Sequence, residues 1–146
     1  MILVSACLCG QRCRYDGKTK ENKALMSRLG QQAILPVCPE ELGGLPTPRP
    51  ACRLVGGDGA DVLAGRARLV DETGADRTAA FLKGAHRTLE LARSHGVRRC
   101  FLKAKSPSCG SKQLALQGVL PEGYRPVLGV TAALLLANGF PVEEIP

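Results

Sequence analysis

The sequence predicts one α/β domain over residues 1–146, a largely parallel sheet with flanking helices in a Rossmann-like arrangement and an inserted β-hairpin. Strand-like apolar runs alternate with helix-like segments along the chain, and 146 residues is an ordinary size for one domain. A domain of that size buries enough surface to hold a core without disulfides or metals. The seven cysteines therefore need another explanation.

The first half of the chain contains two predicted strands and a short helix. Residues 2–7 form an apolar run that ends in small residues, as a buried strand does. Residues 21–30 place apolar side chains at helical spacing and stop at a glycine, which predicts a short helix. Residues 33–40 resemble a second short strand, and the Pro- and Gly-rich residues 41–54 are too apolar for a flexible linker. We expect an ordered loop there.

The second half predicts the hairpin and three further elements. Alternating apolar positions around a Gly-rich turn over residues 53–71 predict the inserted hairpin. Residues 76–95 follow a 3.6-residue apolar period and form the strongest predicted helix. A third strand is expected over 97–105, a second long helix over 129–139, and a final short strand over 140–145.

Composition narrows the location and the partners of the protein. The N-terminus has no secretory pattern, and no apolar run approaches the roughly 20 residues of a membrane span, so the prediction is cytoplasmic. Thiols stay reduced there, and an odd number of cysteines fits a disulfide framework poorly. The net charge of +7 favours anionic partners, but the few aromatic residues argue against a stacking platform for single-stranded RNA.

Three cysteines each follow a predicted strand. Cys7 follows the run ILVSA (2–6), Cys38 follows AILPV (33–37) and Cys109 lies just past RCFLKAK (99–105), each in a turn-forming context. In an open α/β sheet, the carboxyl ends of parallel strands share one edge, where ligands bind. Cys100 instead lies inside a strand, as a packing residue would. The pattern predicts a thiol-lined site at one rim, with nearby cations favouring ionised thiolates; these cations are Arg14, Arg49, Lys103 and Lys105.

The spacing of the cysteines favours an iron–sulfur cluster over zinc. Structural zinc sites use paired CxxC ligands, whereas the closest pair here is Cys7 and Cys9. Both histidines, His86 and His95, fall in the predicted long helix. Three isolated thiolates suit a [4Fe–4S] cluster with one iron open to substrate. Cys13 and Cys52 are each consistent with either core packing or a wall of the site.

Three blocks of the sequence resemble the thiouracil desulfidase family. They are VSACLCGQRCRYDG (4–17), LPVCPEELGGLPTPRP (35–50) and LKAKSPSCGS (102–111), and weaker similarity continues over 74–85 and 129–139. The resemblance implies a [4Fe–4S] cluster held by Cys7, Cys38 and Cys109. Cys9 is the alternative ligand to Cys7, and Cys52, just past the second block, is the alternative to Cys38. Relatives remove sulfur from a thiolated pyrimidine without net redox change, the thiocarbonyl sulfur binding the open iron.

The resemblance also implies which residues act as acid–base groups, and the residues around them indicate the binding groups. An acidic residue and a serine act in that family, and the matching positions are Glu40 and Ser106. A carboxylate near the cluster can take a proton from the attacking water, a role for which Glu41 is the rival. Ser108, Lys103 and Asp16 are the expected substrate-binding residues. The expected partner is a small thiolated nucleobase or nucleoside, with tRNA as an additional candidate.

Two other functions fit parts of the pattern. One is a zinc- or cluster-binding module that acts in tRNA thiolation or sulfur handling rather than on a free base. The other is a hydrolase with a cysteine nucleophile, which is disfavoured because neither histidine lies in a loop near a candidate thiol.

Overall fold

The computed structural model describes residues 1–110 and 128–146 of the chain, so Ser111, the last residue of the third block, lies outside it. The strands are β1 (Ile2–Ser5), β2 (Ile34–Val37), β3 (Cys52–Val55), β4 (Arg68–Asp71), β5 (Arg99–Lys103) and β6 (Val142–Ile145). The helices are α1 (Lys23–Leu29), α2 (Pro39–Leu42), α3 (Gly59–Leu63), α4 (Thr78–Ser94) and α5 (Val130–Ala137). A single 3₁₀ turn, Ala6–Cys9, follows β1.

A four-stranded parallel sheet forms the centre of the fold. Its order is β2-β1-β5-β6, and every neighbouring pair is parallel. The chain leaves β1 first toward β2 on one side and later returns to β5 on the other. In doubly wound sheets, the strand order reverses at such a point, and a crevice opens at the carboxyl ends of the strands. The predicted α/β class is confirmed.

Both faces of this sheet are covered, as parallel sheets require. Along β1 the side chains alternate between two core clusters: Leu3 packs with the α4 and α5 side, whereas Ile2 and Val4 pack with Leu25 and Leu29 of α1. Strand β5 alternates in the same way, with Cys100 in the α4 and α5 cluster. Cys100 is fully buried there, in the packing position that the sequence indicates.

Helix α2 crosses α4 at very close range. A Cβ added to Gly84 would lie 1.8 Å from the carbonyl oxygen of Pro39, and one added to Gly43 would lie 2.0 Å from that of Ala80. Only glycine fits at either position, because real Cβ atoms do not approach a backbone atom so closely. The crossing fixes the short helix that follows Cys38 against the longest helix of the fold.

Two connections differ from the expectation. The second strand ends at Val37, and Pro39 begins α2 at a position that favours proline because its missing N–H has no partner in a first turn. The predicted antiparallel pair forms between β3 and β4, but its connection holds α3 rather than a plain turn. Asp58 and Asp61 form a capping box at the start of α3, which stabilises that helix.

Within residues 1–110 and 128–146, no helix combines the length and apolar character needed to cross a membrane.

Candidate active site

A cavity of about 750 Å³ opens at the carboxyl edge of the parallel sheet. Each strand of the sheet reaches it through a residue at or just beyond its end, namely Ser5, Val37, Lys103 and Pro146. The cavity therefore lies where the topology of the sheet places a crevice. All four cations that the sequence places near the thiols also line it, namely Arg14, Arg49, Lys103 and Lys105.

Five of the seven cysteines line this cavity. Cys7, Cys38 and Cys109 meet there as the strand-end rule predicts, and they are joined by Cys13 and Cys52. Cys9 lies outside the lining, with its thiol directed at the carbonyl oxygen of Ser5, 3.9 Å away. All seven cysteines are free thiols.

The first thiol is fixed by the 3₁₀ turn and the loop that follows it. The carbonyl oxygen of Cys7 accepts hydrogen bonds from the hydroxyl of Thr19, at 2.8 Å, and from the backbone N–H of Lys20, at 3.1 Å. Gly10 ends the turn with a φ of 95°, in the left-handed region that glycine adopts without strain. These contacts hold the loop of the first sequence block against the mouth of the cavity.

The loop that carries Cys109 is built around Ser106. The hydroxyl oxygen of Ser106 accepts the backbone N–H groups of Ser108, at 3.2 Å, and of Cys109, at 3.1 Å. The first N–H groups of α5 donate to the carbonyl oxygens of Pro107 and Ser108, at 2.8–3.2 Å. The first N–H groups of a helix have no partner within the helix, and here they hold the Cys109 loop instead.

The pKa values of four cavity thiols, those of Cys13, Cys38, Cys52 and Cys109, are raised. Burial raises the pKa of Cys109 to about 11, although hydrogen bonds from Ser5 and Ser108 partly oppose the increase. The hydrogen bond with the Cys13 thiol raises the pKa of Cys38, burial raises it further, and Arg49 acts in the opposite direction. A nearby positive centre is needed before these groups ionise, because burial disfavours an isolated thiolate.

Cys13 lies between two of the predicted ligands. Its carbonyl oxygen accepts a hydrogen bond from the Cys38 thiol at 3.6 Å. The Cys38 side chain lowers the pKa of the Cys13 thiol, but the Cys7 side chain and burial together raise it to about 12. The sequence left Cys13 open between packing and site wall, and the structure places it in both the cavity lining and the core cluster around Leu8.

A carboxylate, a serine and an arginine form one chain of polar contacts along the cavity wall. The Nε of Arg49 donates to Oε1 of Glu40 at 3.1 Å, and the hydroxyl of Ser108 lies 3.3 Å from Oε2. The Ser108 hydroxyl also lies 3.1 Å from that of Ser106 and 3.6 Å from the Cys109 sulfur. Because it carries one proton, it donates to one of these groups at a time.

The other predicted residues divide between the cavity and its surroundings. Lys103 lines the cavity, where burial lowers its pKa and its Nζ donates to the carbonyl of Ala104 at 3.1 Å. Asp16 does not line it; its carboxylate pairs with Arg14 at 3.6 Å and accepts the N–H of Lys18. Glu41 also lies outside the lining and accepts a hydrogen bond from Thr47. Of the two rival acids, Glu40 is the one at the cavity.

In the sequence, Arg49 is recognisable only as a cation near the thiols, and its pairing with Glu40 is visible only in the structure. The signal was weak, because the two residues are nine positions apart and joined by a Pro-rich loop. Among the described residues, no group of three or more His, Cys, Asp or Glu side chains is spaced to hold a single metal ion.

Comparison with known proteins identifies the family. A family profile described as 2-thiouracil desulfurase matches residues 2–144. The chain belongs to the 2-thiouracil desulfurase family. It is 39% identical over 142 residues to the uncharacterized protein YbbK of Bacillus subtilis (strain 168), covering 97% of this chain and 93% of YbbK.

A solved structure is similar to this chain in both fold and sequence. The [4Fe-4S]-dependent thiouracil desulfidase TudS is 38% identical, with a TM-score of 0.73. The match covers 98% of this chain and 89% of TudS. In this member of the 2-thiouracil desulfurase family, the three sequence blocks surround one cavity, since residues from each of them line it.

Proposed function

We propose that the protein is a [4Fe–4S]-dependent desulfidase that removes sulfur from a thiouracil-like base or nucleoside by hydrolysis. One observation carries the proposal: in a member of this family, thiols from three strand ends share a cavity with a hydrogen-bonded carboxylate. Cys7, Cys38 and Cys109 would hold the cluster, which leaves one iron without a protein ligand. TudS, whose name states the same cofactor and substrate, supports this assignment.

The donor set of the cavity fits such a cluster. Thiolates are the usual ligands of iron–sulfur clusters, and the cavity concentrates thiols while offering no histidine. Burial raises the pKa of Cys109, and the contact with Cys13 together with burial raises that of Cys38; bound iron would favour both thiolates. When bound, the cluster supplies a Lewis-acidic iron that polarises the thiocarbonyl bond and accepts the departing sulfur.

The protein's own contribution is to move a proton from water. In the proposed reaction, water adds at the thiocarbonyl carbon, the carbon–sulfur bond breaks, and the products are the oxo-pyrimidine and hydrogen sulfide, with no electron gained or lost. Glu40 accepts the proton of the attacking water, because it is the only one of the two rival acids in the cavity lining. The carboxylate is held on both oxygens, by Arg49 and by Ser108.

The two serines have different parts in this proposal. Ser108 contacts Glu40 directly and passes a proton between the carboxylate and the sulfur side of the cavity, where Cys109 lies. Ser106 acts one step behind, since its hydroxyl contacts that of Ser108 while it also holds the loop N–H groups. Lys103 is placed to donate a hydrogen bond to a pyrimidine oxygen. Asp16 enters only through Arg14, which lines the cavity.

Anaerobic reconstitution with iron and sulfide tests the proposal. We expect iron and inorganic sulfide to bind with the broad visible absorbance of an iron–sulfur cluster. The loaded protein should then release sulfide and uracil from 2-thiouracil, whereas the cluster-free protein, the matched control, should release neither. Bound zinc without inorganic sulfide would contradict the proposal. A panel of thiolated bases and nucleosides then defines the substrate, with thiolated tRNA included as the rival substrate.

A further inference from the structure

We propose that Arg49 is a positioning residue of this site, which holds the Glu40 carboxylate at a fixed place relative to the thiols. The inference rests on the proposed function, because it takes Glu40 as the group that accepts the proton. Neither the sequence pattern nor the comparisons assign a role to this arginine beyond its positive charge.

Arg49 is almost fully buried and all three of its side-chain nitrogens are engaged. Its side chain is 3% exposed. Its Nε donates to Glu40 at 3.1 Å, its Nη1 to the carbonyl of Pro46 at 3.1 Å and the hydroxyl of Thr47 at 2.8 Å, and its Nη2 to the carbonyl of Cys13 at 2.9 Å. A planar guanidinium with this many partners has a single orientation, and so do the groups bonded to it.

The crossing with α4 fixes the backbone of the four-residue helix α2, but it does not fix the side chain of Glu40. The direction of the carboxylate depends on its own hydrogen-bond partners. Arg49 binds Oε1, and the Ser108 hydroxyl lies within reach of Oε2. A carboxylate oxygen accepts two hydrogen bonds, and within residues 1–110 and 128–146 each oxygen of Glu40 has one such partner. The two partners fix the carboxylate in direction without filling its acceptor positions from this part of the chain.

Arg49 also ties this carboxylate to the thiol-lined wall. The Cys13 carbonyl oxygen that it binds also accepts a hydrogen bond from the Cys38 thiol, at 3.6 Å. The backbone N–H of Arg49 donates to the carbonyl of Tyr15 at 2.8 Å. One side chain thus links the loop of the first sequence block to the acid of the second. Lysine cannot replace it, because one ammonium cannot reach the four acceptors that the guanidinium binds.

The first test compares Arg49→Met with Arg77→Met in loaded protein. Arg77 pairs with Asp71 through its Nε at 3.0 Å but lies outside the cavity lining, so it controls for loss of a carboxylate–arginine pair as such. We expect Arg49→Met to lower kcat roughly 100-fold, the effect of a misplaced catalytic group. Its KM for 2-thiouracil and its iron content should stay within a few-fold of wild type. Arg77→Met should keep wild-type kcat.

A double-mutant cycle separates positioning from a general structural role. If Arg49 acts through Glu40, then Glu40→Gln combined with Arg49→Met should be no slower than Glu40→Gln alone. If the double variant is instead slower than Glu40→Gln by the same factor that Arg49→Met causes in wild type, the two residues act independently and the inference is overturned. If Glu40→Gln falls below detection, guanidinium rescue decides: added guanidinium ion should restore at least part of kcat in Arg49→Ala, and a failure of rescue would overturn the inference.

A third measurement needs no cluster and no turnover. In the cluster-free chain, backbone hydrogen exchange over residues 13–17 should increase in Arg49→Met and remain at the wild-type level in Arg77→Met. Unchanged exchange in Arg49→Met would overturn the link to the first block. Loaded wild type that releases no sulfide contradicts the proposed function; active wild type with a slow Glu40→Gln and a normal Arg49→Met contradicts only this inference.

Discussion

Two carboxylate–arginine pairs of nearly equal length have opposite surroundings. Arg49 meets Glu40 at 3.1 Å beside the cavity, and Arg77 meets Asp71 at 3.0 Å beside the two-stranded sheet. The side chain of Glu40 is 15% exposed, whereas that of Asp71 is 1% exposed. The pairs share their chemistry and differ in where their other hydrogen bonds come from.

Asp71 takes its partners from its own turn. Its carboxylate accepts the N–H and hydroxyl of Thr73, the N–H of Ala75 and the Nε of Arg77, all within six residues. The Thr73 hydroxyl, together with Arg77 and the backbone N–H groups, lowers the pKa of Asp71 to about 2, against the opposing effect of desolvation. Three of these four bonds end on Oδ1 and one on Oδ2, and at 1% exposure the carboxylate is shut away from solvent inside its turn.

Glu40 takes its partners from distant segments and lines the cavity. Its bonded neighbours are Arg49, nine residues on, and Ser108, in the loop after β5. Because the partners come from different elements, the pair holds those elements together around an open space. The difference indicates that access to the cavity, rather than the ion pair, distinguishes the candidate catalytic acid from the structural one.

The largest expected effect comes from removing a thiol that lines the cavity. Cys109→Ala should reduce bound iron and inorganic sulfide to background after anaerobic reconstitution, because one of the three proposed ligands is lost. The matched control is Cys100→Ala, in the sheet interior, which should load normally. Its cost is on the order of 1 kcal/mol in free energy of unfolding, as for a small truncation in a packed core. Normal iron loading in Cys109→Ala would exclude Cys109 as a ligand of the proposed cluster.

The two carboxylates themselves come next. Glu40→Gln should load its cluster but lose roughly 10²- to 10⁴-fold in kcat on 2-thiouracil, the usual contribution of a general base. Asp71→Asn should keep its turnover and unfold at a lower temperature, because an amide cannot accept all the bonds of the turn. Steady-state kinetics and thermal unfolding together check this; equal kinetic loss in both variants would erase the distinction between the pairs.

A smaller effect should separate the two serines. Ser108→Ala removes the hydroxyl beside Glu40, so kcat should fall roughly 10-fold or more, the scale of one lost hydrogen bond to a charged group. Ser106→Ala keeps that hydroxyl but frees the N–H groups of the loop, so the cluster-free protein should be less stable to urea. A kinetic loss in Ser106→Ala that exceeds that in Ser108→Ala would reverse the assigned parts.

The smallest effect is the pH dependence of the stability that the Asp71–Arg77 pair contributes. Because the folded pKa of Asp71, about 2, lies below the value of about 3.9 for an unfolded aspartate, its ionised form stabilises the fold above about pH 4. That stabilisation is lost as the pH falls from about 4 to about 2. The difference in urea midpoint between wild type and Asp71→Asn should therefore shrink over this range. A difference that stays constant would mean that Asp71 does not titrate with the turn.

The sequence predicts the parts of the site that depend on topology. Cys7, Cys38 and Cys109 could be placed together because each follows a strand, and parallel strands end at one edge. The same rule excluded Cys100, which lies within its strand. These arguments need only the order of elements and the period of apolar residues.

The contacts within the site could not be read in this way. The pairing of Arg49 with Glu40 depends on how a Pro-rich loop folds back, and no periodicity encodes that path. Ser106 and Ser108 stand two residues apart, and only the packing of α5 against their loop decides which hydroxyl faces Glu40. In the sequence, Asp16 looked as suitable for substrate binding as Lys103, yet its carboxylate pairs with Arg14.

The crossing of α2 and α4 gives a rule for reading genetic screens. A methyl group at position 84 would collide with the carbonyl oxygen of Pro39, the residue between Cys38 and Glu40. No residue of α4 lines the cavity. A screen for inactive alleles should nevertheless recover Gly84 substitutions, and these would resemble active-site lesions although they arise on the far side of the helix pair.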